Sequence, residues 1–223
     1  MFSLHVYQER RQRLKALMPE KSLAIVAAAA EVIRNRDAEY PFRQSSDFWY
    51  LTGLTEPDAV LVIGPGQPDR LFVRPKHPEQ EVWTGRRMGP DHVKHRLGID
   101  QGYPLEALDT ELKTLLAEIA WVEYPFGCQK STAIVDQAIK AKGLRSRRSD
   151  LLSHRADLSR HLSQARLIKS RQEIDIMKEA GRISAQGHIA AMQACKPGMT
   201  EDQLASVVEH QFRMDGSPSI AYQ

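Results

Sequence analysis

The residues of this chain that could do chemistry are few and widely scattered. His92 and His95 form the closest histidine pair, and their i, i+3 spacing would place two imidazoles on one helix face. A metal centre needs further ligands aimed at the same ion, and no acidic partner accompanies the pair. Asp37 and Glu39 are paired carboxylates, but the arginines around them favour a salt-bridged loop over a metal or acid–base site.

Motifs of the common enzyme classes are absent from the sequence. It has no G-x-S-x-G elbow, no P-loop, no G-x-G-x-x-G and no plausible Cys/His nucleophile pair. Cys128 and Cys195 lack metal-ligand spacing, and we interpret them as free thiols in a reducing compartment. We interpret His188 and His210 as surface or interhelical residues. Residue chemistry alone therefore identifies no active site.

Composition limits the class of protein and its partners. The 223 residues are 42% hydrophobic and 26% charged, which is typical of a globular chain with a sizeable core. A net charge of +3 is too small to indicate nucleic acid as a partner. The N-terminus resembles no signal peptide, and no apolar run approaches the roughly 18 residues of a membrane span. We expect a cytoplasmic protein with no membrane or nucleic-acid partner.

Two segments are nevertheless unusual. The first, YPFRQSSDFWYLTGLTEP at residues 40–57, contains three consecutive aromatic residues before a glycine turn. We predict a strand at 47–53, with Phe48 and Tyr50 on one face and Trp49 on the other.

The second segment is EVWTGRRMGP at residues 81–90. A tryptophan on a loop beside Arg87 could form an apolar wall with a cationic rim for a small ligand. Alternatively, Trp83 fills the core and the arginines bind backbone carbonyls.

Apolar patterning predicts an α/β fold with a mixed sheet, because hairpins and crossovers both occur. The predicted strands are 22–30, 47–53, 59–64, 70–73 and 121–124, and the predicted helices are 5–18, 105–120 and 131–141. The charged stretch 145–161 lacks a strand pattern and is a candidate domain boundary. Two further helices begin at capping boxes, S170-R-Q-E173 and T200-E-D-Q203, and a Pro-Gly turn joins them.

Three of these stretches, in the same order, resemble the Xaa-Pro aminopeptidase (aminopeptidase P) family. They are R43-Q-S-S-D-F-W-Y-L-T-G-L-T-E-P57, W83-x-G-R-R-x-G89, and R166-L-I-K-S-R-Q-E-I174 with K196-P-G-M-T200. The resemblance implies a mixed-sheet, three-layer, ribonuclease-H-like amino-terminal domain at 1–165. Residues 166–223 would then begin a pita-bread α+β catalytic domain without completing it.

The resemblance also implies an activity. Family members hydrolyse the bond between an N-terminal residue and a following proline, using two manganese ions held by two Asp, one His and two Glu. They form dimers or tetramers, in which a tryptophan reaches a neighbouring subunit's active site. Trp83 occupies that position, Arg147 lies near a substrate-contacting arginine, and Tyr222 matches a tyrosine that precedes the metal ligands. The substrate-binding residues implied are therefore Trp83, Arg147 and Tyr222.

The family's five metal ligands all lie beyond the position of Tyr222. We therefore expect no catalytic or metal residue in this chain, no bound manganese, and no activity from the isolated chain. The terminal helices would be mobile or covered by another chain, with exposed apolar faces near Met177, Ile183, Leu204 and Phe212. The alternatives are a non-catalytic assembly or protein-binding module of the same fold, and a prolidase, which fits the first motif less well.

Overall fold

Residues 2–143 and 154–220 are described by a computed structural model of the protein. The chain divides into two units, Met1–Leu167 and Ile168–Gln223. Within the described ranges, no helix is both long enough and apolar enough to cross a membrane.

A six-stranded mixed sheet forms the centre of the first unit. The strands described are β1 (Ser22–Ala27), β2 (Ile33–Asn35), β3 (Ala38–Glu39), β4 (Val60–Ile63), β5 (Arg70–Val73), β6 (Gln101–Pro104), β7 (Trp121–Tyr124) and β8 (His154–Asp157). Their order in the sheet is β6-β5-β4-β1-β7-β8, while β2 and β3 form a separate exposed hairpin. β4 is antiparallel to β1 and β5, and the other neighbours are parallel. The predicted mixed sheet is confirmed.

Helices cover both faces of this sheet. Those of the first unit are α1 (Leu4–Leu17), α2 (Ser46–Thr52), α3 (Pro78–Thr84), α4 (Val93–Leu97), α5 (Leu108–Leu115), α6 (Gln129–Gly143) and α7 (Ser159–Leu167). Alternate side chains of β1 point to opposite faces, as the pleat of a strand requires. Ala24 and Val26 pack in the core under α1, α2, α4 and α7, whereas Leu23 and Ile25 pack in the core under α5 and α6. The result is a three-layer α/β/α unit.

The aromatic segment is a helix, so the predicted strand at 47–53 is wrong. Ser45 caps the N-terminus of α2, its hydroxyl accepting a hydrogen bond from the Phe48 amide at 3.5 Å. Gly53 ends the helix in the left-handed conformation, with φ 70°. Phe48 and Leu51, three residues apart, are fully buried on the same helix face.

Most other predicted elements of the first unit are confirmed, with shifted ends. The strands predicted at 22–30, 59–64, 70–73 and 121–124 correspond to β1, β4, β5 and β7. The stretch predicted at 105–120 as one helix is α5 flanked by two 3₁₀ turns. The charged stretch 145–161 shows no strand pattern in its sequence, yet its described residues contain β8 and the start of α7.

The second unit contains two helices, α8 (Arg171–Ala194) and α9 (Glu201–Met214), and both predicted capping boxes are present. The helices pack where Gly187 of α8 meets the ring of Phe212. Met177 is exposed, as expected, whereas Ile183, Leu204 and Phe212 are half-buried. The large apolar side chains exposed on the two helices are Ile174, Ile176, Met177, Ile189, Met192 and Met214.

Candidate functional site

Trp83 lies on α3, a seven-residue helix rather than a loop. Pro78 occupies its first turn, where a missing N–H costs no hydrogen bond. The Glu81 carboxylate accepts a hydrogen bond from the His77 amide at 3.1 Å and so closes the first turn. None of the residues of α3 is buried. Packing against a core therefore does not fix the orientation of this helix.

The side chain of Trp83 projects into solvent with 88% of its surface exposed, and its neighbour Val82 is 78% exposed. The alternative in which Trp83 fills the core is therefore wrong. A tryptophan side chain this exposed is uncommon, because an indole carries a large apolar surface with a single polar N–H. This side chain is available to a ligand or to another polypeptide.

Polar contacts hold the segment that carries Trp83. Arg87 donates from one guanidinium nitrogen to the Pro75 carbonyl at 3.4 Å and from another to the Gln80 side chain at 2.9 Å. Arg87 therefore binds a backbone carbonyl, as predicted by the alternative in which the arginines bind the backbone and not a ligand. Beyond the loop, the Glu56 carboxylate accepts from the amide of buried Met88 at 2.7 Å.

Two glycines give the segment its path. Gly85 has φ 83° and ψ 166°, and Gly89 has φ 72° and ψ 161°. Residues with a Cβ rarely adopt this region. The glycines of W-x-G-R-R-x-G are therefore required by the backbone: Gly85 ends exposed α3, and Gly89 follows buried Met88 and leads into the turn Pro90–His92.

The motif at residues 43–57 supports the W-x-G-R-R-x-G motif at residues 83–89. The Gln44 carboxamide accepts from the amides of Ala29 and Ser45, and it donates to the carbonyls of Leu54 and Glu56. One half-buried side chain thus fixes the loop on both sides of α2. Because Glu56 also binds Met88, the two motifs are joined by hydrogen bonds.

A cluster of aromatic and cationic groups anchors α2. The rings of Phe2, Tyr7 and Trp49 lie about 6 Å apart, and the Arg10 guanidinium stands 4.1 Å from the centre of the Tyr50 ring. The sequence pattern predicted Trp49 and Tyr50 on a strand, whereas the structure places them on α2, facing α1. Tyr7 and Tyr50 are buried, so this cluster packs α2 against α1.

A buried acidic residue was not predicted from the sequence. Glu123 lies in the middle of β7, and its Oε2 is 3.1 Å from Nδ1 of His161 on α7. Burial raises the pKa of the Glu123 carboxyl, and the nearby His161 partly counters the effect. The sequence signal that could have identified Glu123 is the presence of one acidic residue in the otherwise apolar strand sequence WVEY.

The remaining predicted positions form no site with Trp83. Arg147 and Tyr222 lie outside the described residues. His92 and His95 are both exposed. Asp37 and Glu39 lie on the exposed β2–β3 hairpin, and within the described part of the chain neither forms an ion pair, so the predicted salt-bridged loop is wrong.

Metal-binding side chains are not brought together in the described residues. Across 2–143 and 154–220, no three His, Cys, Asp or Glu side chains lie close enough to hold an ion jointly. No chemical step is therefore assigned to the described residues through a metal.

Comparison with known proteins identifies the family. The family model described as "Aminopeptidase P, N-terminal domain" matches residues 7–121. The chain belongs to the aminopeptidase P family. A second model, "Metallopeptidase family M24", matches residues 175–223. Its match begins within α8 and covers the rest of that helix and all of α9.

Individual relatives agree with this assignment. The chain is 35% identical to the Xaa-Pro aminopeptidase of Escherichia coli over 97% of its own length and 50% of the relative's. It is 30% identical to rat Xaa-Pro aminopeptidase 3 over 97% of its own length and 45% of the relative's. The chain thus spans about half the length of the curated relatives it matches.

Solved structures of aminopeptidase P share the fold. The low-pH form of the Escherichia coli enzyme has a TM-score of 0.95 at 35% identity, covering 100% of this chain and 52% of that one. Proline aminopeptidase P II from Yersinia pestis has a TM-score of 0.93 at 36% identity, covering 99% of this chain and 52% of that one. The aminopeptidase P fold predicted from the motifs is confirmed.

Proposed function

We propose that these residues form the amino-terminal half of an Xaa-Pro aminopeptidase, which releases the N-terminal residue from peptides with proline in the second position. The observation that carries the proposal is the succession of two family matches in one chain, at 7–121 and 175–223. Relatives named Xaa-Pro aminopeptidase align over nearly the whole chain, which supports the same substrate class. The domain limits that we propose are 1–165 and 166–223.

We assign the metal ligands to the other half of the complete enzyme. That enzyme would hold two manganese ions, whereas these 223 residues alone would bind none and would be inactive. Purified 223-residue chain, supplied with Mn²⁺ and an Xaa-Pro peptide, should release no N-terminal residue. Measurable release would overturn this part of the proposal. If the complete protein also proved inactive, the alternative of a non-catalytic assembly or protein-binding module would replace it.

Trp83 is the residue through which this half would take part in substrate binding. Its exposed indole offers a flat apolar surface that could cover a peptide side chain in the active site of a neighbouring subunit. The protein would therefore act as a homodimer or homotetramer. Arg147 and Tyr222 are proposed as further substrate contacts on the family pattern alone. A cytoplasmic location is also proposed, supported by the free thiols of Cys128 and Cys195.

Subunit mixing would test the role of Trp83. In the full-length enzyme, Trp83→Ala should raise KM for an Xaa-Pro peptide by roughly tenfold, the loss expected when a buried aromatic contact is removed. Mixing these subunits with subunits inactivated at the metal site should restore sites of normal KM, because each inactive subunit still supplies an intact Trp83. Unchanged kinetics of Trp83→Ala, or no restoration on mixing, would contradict the assignment.

A further inference from the structure

α3 carries Trp83 but has no packing of its own to hold it in place. None of its residues is buried, so packing in a core does not set the direction of the helix. A short isolated helix is also only marginally stable in water. If Trp83 is to fill a defined space on a partner, something outside the helix must set its position.

The contacts of Arg87 supply one such restraint. Its guanidinium spans from the Pro75 carbonyl, before α3, to the Gln80 side chain on α3. The planar fork of arginine can hold two acceptors at once in fixed directions, which a lysine ammonium does less well. Arg87 therefore closes the segment that bears Trp83 into a loop.

Glu56 supplies a second restraint from the other motif. Its carboxylate binds the Met88 amide, and its own carbonyl is held by Gln44. Glu56 therefore fixes the segment at Met88, which follows Arg87 directly in the chain.

We infer that Arg87 and Glu56 are positioning residues, which hold α3 so that Trp83 stands ready to enter the site of a neighbouring subunit. This inference rests on the function proposed for Trp83. It assigns no chemical step to either side chain, since both act through the position of the indole. It also gives a function to the hydrogen-bonded connection between the two motifs.

The position of Trp83 can be measured separately from activity. In full-length protein labelled with 5-fluorotryptophan, the ¹⁹F resonance of Trp83 is assigned by its loss in Trp83→Phe. Arg87→Lys and Gln80→Leu should each shift or broaden that resonance, and each should raise KM about three- to tenfold with little change in kcat, as expected for loss of one charge-assisted hydrogen bond. Arg86→Lys is the matched control, because exposed Arg86 has no hydrogen bond or ion pair in the described residues, and it should change neither quantity.

Glu56 allows a test by conservative rescue. Glu56→Ala removes the acceptor of the Met88 amide, whereas Glu56→Gln retains an oxygen in its place. The alanine variant should perturb the Trp83 resonance and KM, and the glutamine variant should restore both towards the wild-type values. Equal perturbation by the two variants would overturn the role of Glu56.

The outcomes separate this inference from the proposed function. An unchanged Trp83 resonance in Arg87→Lys and Gln80→Leu would overturn the positioning role whatever the activity. A changed resonance with unchanged KM would overturn it too, provided that Trp83→Ala does raise KM. If Trp83→Ala leaves KM unchanged, the proposed function of Trp83 fails, and the positioning of an active-site contact fails with it.

Discussion

Buried Glu123 and half-buried His161 form an acid–imidazole pair, with 3.1 Å between Oε2 and Nδ1, in a layer that is otherwise largely apolar. Burial is the main reason that the pKa of Glu123 lies above its ordinary value of 4.5. The folded protein therefore holds this proton more tightly than the unfolded chain does. The associated stability is fully present below pH 4.5 and is lost as pH rises through the raised folded value.

Glu123→Gln removes this titration, so the variant should gain stability relative to wild type as pH rises from 4.5 through the raised pKa of folded Glu123. One proton limits the difference in slope to about 1.4 kcal/mol per pH unit. Urea unfolding at several pH values would measure it. Glu118→Gln makes the same change of charge at an exposed position and is the control for net charge. A constant difference between Glu123→Gln and wild type would contradict the prediction.

Two glycines of α8 should respond oppositely to the same substitution. A Cβ at Gly187 would overlap the Phe212 ring, so Gly187→Ala should destabilise the helix pair by about 1–3 kcal/mol. A Cβ at Gly181 would meet no atom, so Gly181→Ala should stabilise it by about 0.5–1 kcal/mol through helix propensity. Thermal or urea unfolding, followed by circular dichroism, would measure the stability change in each variant. Effects of the same sign would show that the helices do not pack at Phe212.

Asp69 should be important for stability because it neutralises buried charge. It binds fully buried Arg11 at 2.7 Å and Lys15 at 2.5 Å. Asp69→Ala should lower the free energy of unfolding by about 3–5 kcal/mol, because it leaves the guanidinium without a carboxylate. Asp136→Ala is the control, since its pair with Arg155 is exposed and should contribute less than about 1 kcal/mol. Similar losses in the two variants would refute the distinction.

The backbone at Gly85 should tolerate no side chain. Gly85→Ala places a Cβ at φ 83°, ψ 166°, a strain of about 1–3 kcal/mol. The strain should unravel the end of α3 and speed hydrogen exchange at the Gly85 amide, which donates to the Glu81 carbonyl. Gly127→Ala is the control, because its Cβ would meet no atom and its φ lies outside the left-handed region. Unchanged exchange and stability in Gly85→Ala would be the contrary result.

The sequence revealed the inner part of the sheet and missed its edges. β5, β4, β1 and β7 are almost entirely buried, so continuous apolar runs predict them. The edge strands β6 and β8 are largely exposed, and their sequences, QGYP and HRAD, carry no apolar pattern. Their pairing is decided by neighbours that are distant in the chain, and local periodicity does not contain that information.

The strand predicted at residues 47–53 was wrong for a different reason. Phe, Trp and Tyr favour strands, and this preference outweighed the cap and turn signals at Ser45 and Gly53. Tertiary packing of Phe48 and Leu51 then determines the helix. For the candidate site, the motif identified Trp83, but its exposure and its support by Glu56 depend on contacts across the fold.

The central position of β1 has a consequence for synthesis on the ribosome. β1 emerges early, yet one of its two edges stays open until β7 arrives to pair Leu23 with Val122. The apolar layer under α1 closes only when Leu158 and Leu162 of the later chain are available. Such non-local contacts slow folding, and an open strand edge exposes the nascent chain to association with others. Ribosome-bound chains should therefore become protease-resistant only once α7 has emerged, and resistance in chains arrested before β7 would exclude this order of events.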